Sequence, residues 1–176
     1  CLLIDADLRR GRLHENFGIV RDPGLSNVLL GQVTLDDVVY KDPNGGPSVL
    51  PTGTLPPNPA ELLGSERMAA LLAETAKAYD VIVIDAPPLN LVTDAAVLSR
   101  HADGVLVVAR AGVTQQGALT YTFAQLAAVN APVLGTILND ADPQREGHYG
   151  SYLNDYYQPH APSCCRSEAR RQPARQ

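Results

Sequence analysis

The side chains whose type and spacing suit chemistry best are carboxylates. Asp5 closes the apolar run of residues 2–4 and is followed by Asp7, Arg9 and Arg10. Asp85 closes the apolar run of residues 81–84 and is followed by Ala86-Pro87-Pro88. A short apolar run bounded by turn signals reads as a buried strand, so each acid stands where a strand becomes a loop. In open α/β sheets, ligands bind outside the carboxyl ends of the strands. Two such acids facing one crevice can hold a hydrated Mg²⁺ against nucleotide phosphates, because Mg²⁺ ordinarily takes one or two carboxylates with phosphate oxygens and water. The chemistry indicated is nucleotide-dependent phosphoryl transfer.

Taken alone, Asp5 and Asp7 serve equally well as caps of the next turn, with the arginines in solvent. Asp85 is more specific: Pro87 and Pro88 fix φ and remove two N–H donors, so the loop is built for shape rather than for a hydrogen-bond ladder. Asn139 closes a third apolar run and carries both a donor and an acceptor, the equipment that reads an adenine edge. By itself it is a turn-forming residue. Tyr149, Tyr152, Tyr156 and Tyr157 place four of the seven tyrosines within nine residues. They read either as a low-complexity end or as phosphate acceptors, each a phenol of ordinary pKa ~10 that attacks as an aspartate takes its proton.

The elements that must position these groups alternate between strand and helix. Strands are expected over residues 2–5, 47–52, 81–85, 104–109 and 132–139, with residues 8–16 a polar stretch. Helices are expected over residues 24–31, 34–39, from Asn58, from Ser65, over 93–99 and over 114–130. Thr34 with Asp37 suggests a capping box. Asn58 is expected to cap, with Pro59 at the first helical position and Glu61 bonding back. Met68, Leu71, Leu72, Thr75, Ala76 and Tyr79 form one helical face, as do Leu119, Phe123, Leu126 and Ala127. The strands are continuous apolar runs, which predicts burial on both faces and a parallel sheet between helices. After Asn139 the periodicity stops, and residues 141–176 read as a flexible tail.

Bulk properties narrow the class. The 176 residues fit one domain, 45% apolar and 19% charged. A net charge of −5 argues against nucleic acid as a partner. Residues 161–176 carry four arginines against one glutamate, a local +3, leaving −8 on the remainder. No apolar stretch approaches the ~20 residues of a membrane span, and no signal peptide is visible. Cys1 and the adjacent pair Cys164-Cys165 match no zinc spacing, and the four histidines are scattered. The plain expectation is a reduced, intracellular chain.

Residues 2–10, Leu-Leu-Ile-Asp-Ala-Asp-Leu-Arg-Arg, resemble the Walker A′ segment of the bacterial tyrosine kinases, the autokinases that govern capsule and exopolysaccharide export. Residues 81–88, Val-Ile-Val-Ile-Asp-Ala-Pro-Pro, resemble the family's Walker B. Residues 50–63, 94–98, 104–112 and 135–139 and the tyrosine-rich end match in order, so the resemblance spans residues 1 to about 157. It implies an α/β fold of the P-loop NTPase type, a three-layer arrangement with a mainly parallel sheet between helices. It implies ATP and Mg²⁺ as cofactors, with Asp5, Asp7 and Asp85 as metal and catalytic residues and either Asp5 or Asp7 as the base. Arg9 and Asn139 join Asp5 and Asp7 at the nucleotide, Asn139 near adenine. The tyrosine cluster is implied to be the phosphoacceptor, phosphorylated in trans within a ring-type homo-oligomer. The 17 residues from Asn139 to Tyr156 could extend ~55 Å to a neighbour. The resemblance further implies a membrane-anchored activator or N-terminal transmembrane module, hence a cytoplasmic location at the inner face of the plasma membrane.

One departure is plain. The family's Gly-rich Walker A loop lies upstream of Walker A′, and no G-x-x-x-x-G-K-[ST] occurs in this chain. The expectation is a partial kinase domain over residues 1–140, lacking the Walker A strand, followed by the tail over 141–176, with little activity alone. Two rivals remain at this point: a partition or septum-site ATPase with the same deviant Walker layout, and a truncated non-catalytic partner of an intact kinase.

Overall fold

Strand β1 (Leu2–Asp5) is the axis of the first sheet. A computed structural model of the chain describes residues 1–142. In it β2 (Ser48–Leu50) and β3 (Ile82–Asp85) flank β1, each parallel to it, in the order β2-β1-β3. Between β1 and β2 lie the short helices α1 (Leu13–Phe17), α2 (Leu25–Leu29) and α3 (Leu35–Val38). Between β2 and β3 lie α4 (Pro59–Leu63) and α5 (Glu66–Thr75). After β3 come α6 (Asp94–Leu98) and a 3-10 turn, then β4 (Val105–Arg110), α7 (Gln116–Ala128) and β5 (Val133–Asn139). β4 and β5 pair in parallel as a second ladder, so α7 is the crossover of a β-α-β unit. Among the described residues every ladder is parallel, in keeping with the strand–helix alternation, and an isolated antiparallel bridge joins Tyr40 to Val49.

The core explains the local sequence. Leu2 and Ile4 of β1, Leu50 of β2, Leu25 and Leu29 of α2, and Met68, Leu71 and Leu72 of α5 form one buried cluster. Helix α5 starts because the Ser65 hydroxyl accepts the Met68 N–H at 3.4 Å. Its three-and-four spacing then buries Met68, Leu71, Leu72 and Thr75. The Thr75 hydroxyl is satisfied inside the core by the carbonyls of Leu71 and Leu72, both at 3.0 Å.

Several expectations need correction. Residues 8–16 are not merely a polar stretch, since α1 begins within them and ends at Gly18 in the left-handed region, φ 62°. Asn58 does not cap α4 by accepting a backbone N–H; its amide donates to the Glu61 carboxylate at 2.6 Å. Ala76 is exposed, whereas Tyr79, just past the end of α5, still packs against the core. On α7 only Leu126 is buried, while Phe123 and Ala127 face outward. The strands are also not all buried on both faces. Val83 is 48% exposed and Val108 60%, although Ile82 and Ile84 pack on the core. Among the described residues only one face of β3 and β4 is covered, so an unbroken apolar run there carries an alternating burial pattern.

Candidate active site

Asp5 and Asp85 are register partners in adjacent parallel strands. Neighbouring strands lie ~4.8 Å apart, and paired residues point to the same face of the sheet. The pairing continues past them, with the Ala6 N–H donating to the Asp85 carbonyl at 2.8 Å. Both acids therefore stand side by side at the carboxyl edge of the sheet. Asp85 is exposed, and its carboxyl is held above the usual carboxylate range. Desolvation is the largest cause, followed by repulsion from Asp5 and then Asp7, against a lowering contribution from the Ala86 backbone N–H. Three carboxylates thus share one electrostatic neighbourhood.

Asp5 is fully buried. Its Oδ2 accepts the Leu13 N–H at 3.0 Å, while Oδ1 has no partner among the described residues. The Thr52 hydroxyl, two residues beyond β2, is also fully buried and also without a partner among the described residues. Gly11 lies against both: a Cβ there would stand 2.6 and 2.7 Å from the two Asp5 oxygens and closer still to Thr52 Oγ1. Residues 11–13 therefore close over Asp5, and only glycine fits at position 11.

Asp7 is half-buried and makes the turn that follows β1. Its Oδ1 accepts the N–H groups of Arg9 at 3.1 Å and Arg10 at 2.9 Å, a turn of the Asx kind. Capping and chemistry are thus compatible for Asp7, because Oδ2 takes no part in the turn. Arg9 turns its guanidinium to Asp94, with Nε donating to Oδ2 at 2.8 Å and Nη2 to Oδ1 at 3.1 Å. Asp94 is fully buried and opens α6. Asn139 ends β5 in the second ladder, exposed, in register with Arg110. Its carbonyl accepts the Ala111 N–H at 2.9 Å. Tyr149, Tyr152, Tyr156 and Tyr157 lie outside the described residues. The structure thus brings Asp5, Asp7 and Asp85 together at one edge and places Asn139 on another ladder.

Sequence reasoning missed Gly11, Thr52 and the part played by Asp94. For Asp94 the only local signal is an acid at a helix start, which reads as a cap; its partner lies 85 positions away.

The solved VpsO kinase domain superimposes on this chain with a TM-score of 0.76 at 37% identity, covering 80% of this chain and 70% of that domain. The chain belongs to the bacterial tyrosine kinase family. The kinase domain of the Escherichia coli tyrosine kinase Etk is similar too, with a TM-score of 0.75 at 39% identity over 78% of this chain and 54% of that one. Tyrosine-protein kinase YwqD of Bacillus subtilis is 37% identical over 151 residues, 86% of this chain and 64% of YwqD. No family model matches the chain. The chain spans about a fifth of the length of most of the curated kinases it resembles, between 19% and 22%.

For this kinase-family chain the metal question turns on the donor set. Among the described residues no three histidine, cysteine or acidic side chains form a ready-made metal cluster. The arrangement fits Mg²⁺ in its usual manner instead, with one or two carboxylates and the remaining positions left to phosphate and water. Mutual repulsion at Asp85 and the orphaned Asp5 Oδ1 are what a cation would relieve. Among the described residues no helix is long and apolar enough to cross a membrane.

Proposed function

We propose that this chain is the catalytic part of an ATP-dependent protein-tyrosine autokinase that regulates capsule or exopolysaccharide export. The observation that carries the reading is the register pairing of Asp5 with Asp85, beside which the Asp85 carboxyl is raised by desolvation first and then by the charges of Asp5 and Asp7. On this reading residues 1–140 are catalytic and the tyrosines of residues 141–176 are acceptors. Asp5, Asp7 and Asp85 hold Mg²⁺, which when bound supplies neutralisation of charge on the phosphate oxygens. Asp5 or Asp7 accepts the proton of the incoming tyrosine hydroxyl. Asn139 offers its amide to adenine. Arg9 serves the nucleotide side indirectly, since its guanidinium is engaged by Asp94.

Acceptors Tyr149, Tyr152, Tyr156 and Tyr157 are phosphorylated in trans within a ring of copies. Each phosphate adds about −1.5 to −2 charges, and their repulsion loosens the ring. A membrane-anchored activator, or an N-terminal transmembrane module, holds the kinase at the cytoplasmic face. Because the chain contains no G-x-x-x-x-G-K-[ST], it lacks that lysine's charge on the phosphates, and transfer by residues 1–176 is slow.

The test is a prolonged incubation with Mg-ATP, with phosphotyrosine mapped by mass spectrometry. Phosphate on the tyrosine cluster, lost in Asp85→Asn and restored to that variant by mixing with the unaltered chain, is the expected result. ATP hydrolysis without phosphotyrosine favours the partition-type ATPase. Neither product, even when a lysine-bearing Walker A segment is supplied, removes the enzymatic reading.

A further inference from the structure

Asp94 belongs to none of the roles above, yet it is fully buried and opens α6 immediately after the loop that leaves Asp85. A carboxylate removed from water is tolerated only when it is paired and hydrogen-bonded. Both Asp94 oxygens are met by one guanidinium, that of Arg9, at 2.8 and 3.1 Å. A two-point fork of this kind sets the plane and direction of its partner as well as its distance.

Arg9 is held from the other side as well. Its own N–H, with that of Arg10, binds Asp7 Oδ1. One residue is therefore fastened through its main chain to Asp7 and through its side chain to Asp94. The path runs from the end of β1 through the Asp7 turn to Arg9, across to Asp94, and back through the proline-stiffened loop to Asp85 at the end of β3. It forms a closed circuit linking the two loops that carry the acids.

We propose that Asp94 is a positioning residue: through its fork to Arg9 it fixes the turn of residues 7–10, and with it the direction of the Asp7 carboxylate relative to Asp85. The inference rests on reading Asp7 as facing the metal. Capping alone does not account for the arrangement, because both Asp94 oxygens are spent on a side chain from another loop. A decorative surface pair does not account for it either, because such pairs are exposed at both ends.

The experiment compares the full 176-residue chain with Asp94→Asn, which keeps the volume and removes the charge, and with Arg9→Lys, which keeps the charge and loses the fork. Two quantities are read: amide hydrogen exchange at Arg9 and Arg10 against Leu3 and Ile4 of β1, and the affinity for Mn²⁺ alone by water-proton relaxation. In Asp94→Asn the Arg9 and Arg10 amides exchange about 10-fold faster with Leu3 and Ile4 unchanged. Mn²⁺ affinity falls about 10-fold, as when a partner that orients a ligand is lost. Arg9→Lys lies between. Unchanged exchange at Arg9 and Arg10, or acceleration shared equally by Leu3 and Ile4, overturns the clamp. Faster exchange with unaltered Mn²⁺ affinity overturns the positioning role. If the unaltered chain binds no Mn²⁺, the metal reading of Asp7 fails and the positioning role with it, while the exchange rates still decide whether the clamp exists.

Discussion

Replacing Gly11 by alanine tests the closed loop over Asp5 directly. The new Cβ would stand 2.6 and 2.7 Å from the Asp5 oxygens and nearer still to Thr52 Oγ1. Carbon and oxygen ordinarily approach no closer than about 3.3 Å, so residues 11–13 must lift or Asp5 and Thr52 must move. Both of those side chains are fully buried, so neither can swing out into solvent without opening the site. Gly11 has no positive φ, so the cost is collision and not backbone strain. Overpacking a tight site costs about 1–3 kcal/mol, and a clash with three atoms at once belongs near 3. For a chain of 176 residues each kcal/mol lowers Tm by about 2–4 °C, so a fall of about 6–12 °C is expected by circular dichroism. Thr52→Ala alone removes an unpartnered hydroxyl and costs little. Combined with Gly11→Ala it returns about 1–2 kcal/mol of coupling, as expected for residues in contact. A Gly11→Ala protein that melts with the parent, or a double variant with purely additive losses, refutes the packing of this loop on Asp5.

Other outcomes follow from the same residues. The folded-state carboxyl of Asp85 is raised, so the folded chain binds this proton more tightly than the unfolded chain. Its contribution to stability therefore declines as pH rises from the ordinary carboxylate range through the raised value, and the penalty persists above. Asp85→Asn should gain on the parent between pH 4 and pH 7 in urea unfolding; a gap that shrinks with rising pH contradicts the raised carboxyl, whose causes are desolvation first and then the charges of Asp5 and Asp7. Adding Mg²⁺ at neutral pH should narrow that gap by binding the parent, and an unchanged gap argues against a cation at Asp85. Leu63→Ala, at a fully buried position, should cost about 2–5 kcal/mol in the same assay. Glu61→Gln, whose partner Asn58 is exposed, should change stability by no more than about 0.5 kcal/mol.

The carboxylate pair was legible because strand ends carry strong local signals: an unbroken apolar run and then an acid, followed at Asp85 by two prolines. Helix α5 was legible for a similar reason, a serine cap ahead of a regular apolar spacing. Phe123 misled because periodicity reports which residues of α7 are apolar, not how much of that face is covered. Asn58 misled because a cap uses the amide oxygen as an acceptor of a backbone N–H, whereas here the other end of the amide, its N–H group, donates to the Glu61 carboxylate. Neither the Arg9–Asp94 fork nor the packing of Gly11 on Thr52 has a local signature. Both depend on how β1, β2 and α6 come together, which no window of sequence contains.

The central claim is that Asp5, Asp7 and Asp85 form one divalent-cation site at the carboxyl edge of the β2-β1-β3 sheet. Crystals grown with Mn²⁺ and ADP, with the metal located by its anomalous scattering, test it most directly. The account predicts a single strong peak bound directly or through one water to Asp5, Asp7 and Asp85, with the diphosphate on its open side. A peak that touches only one of these acids, or a nucleotide bound at another edge of the fold, would contradict it.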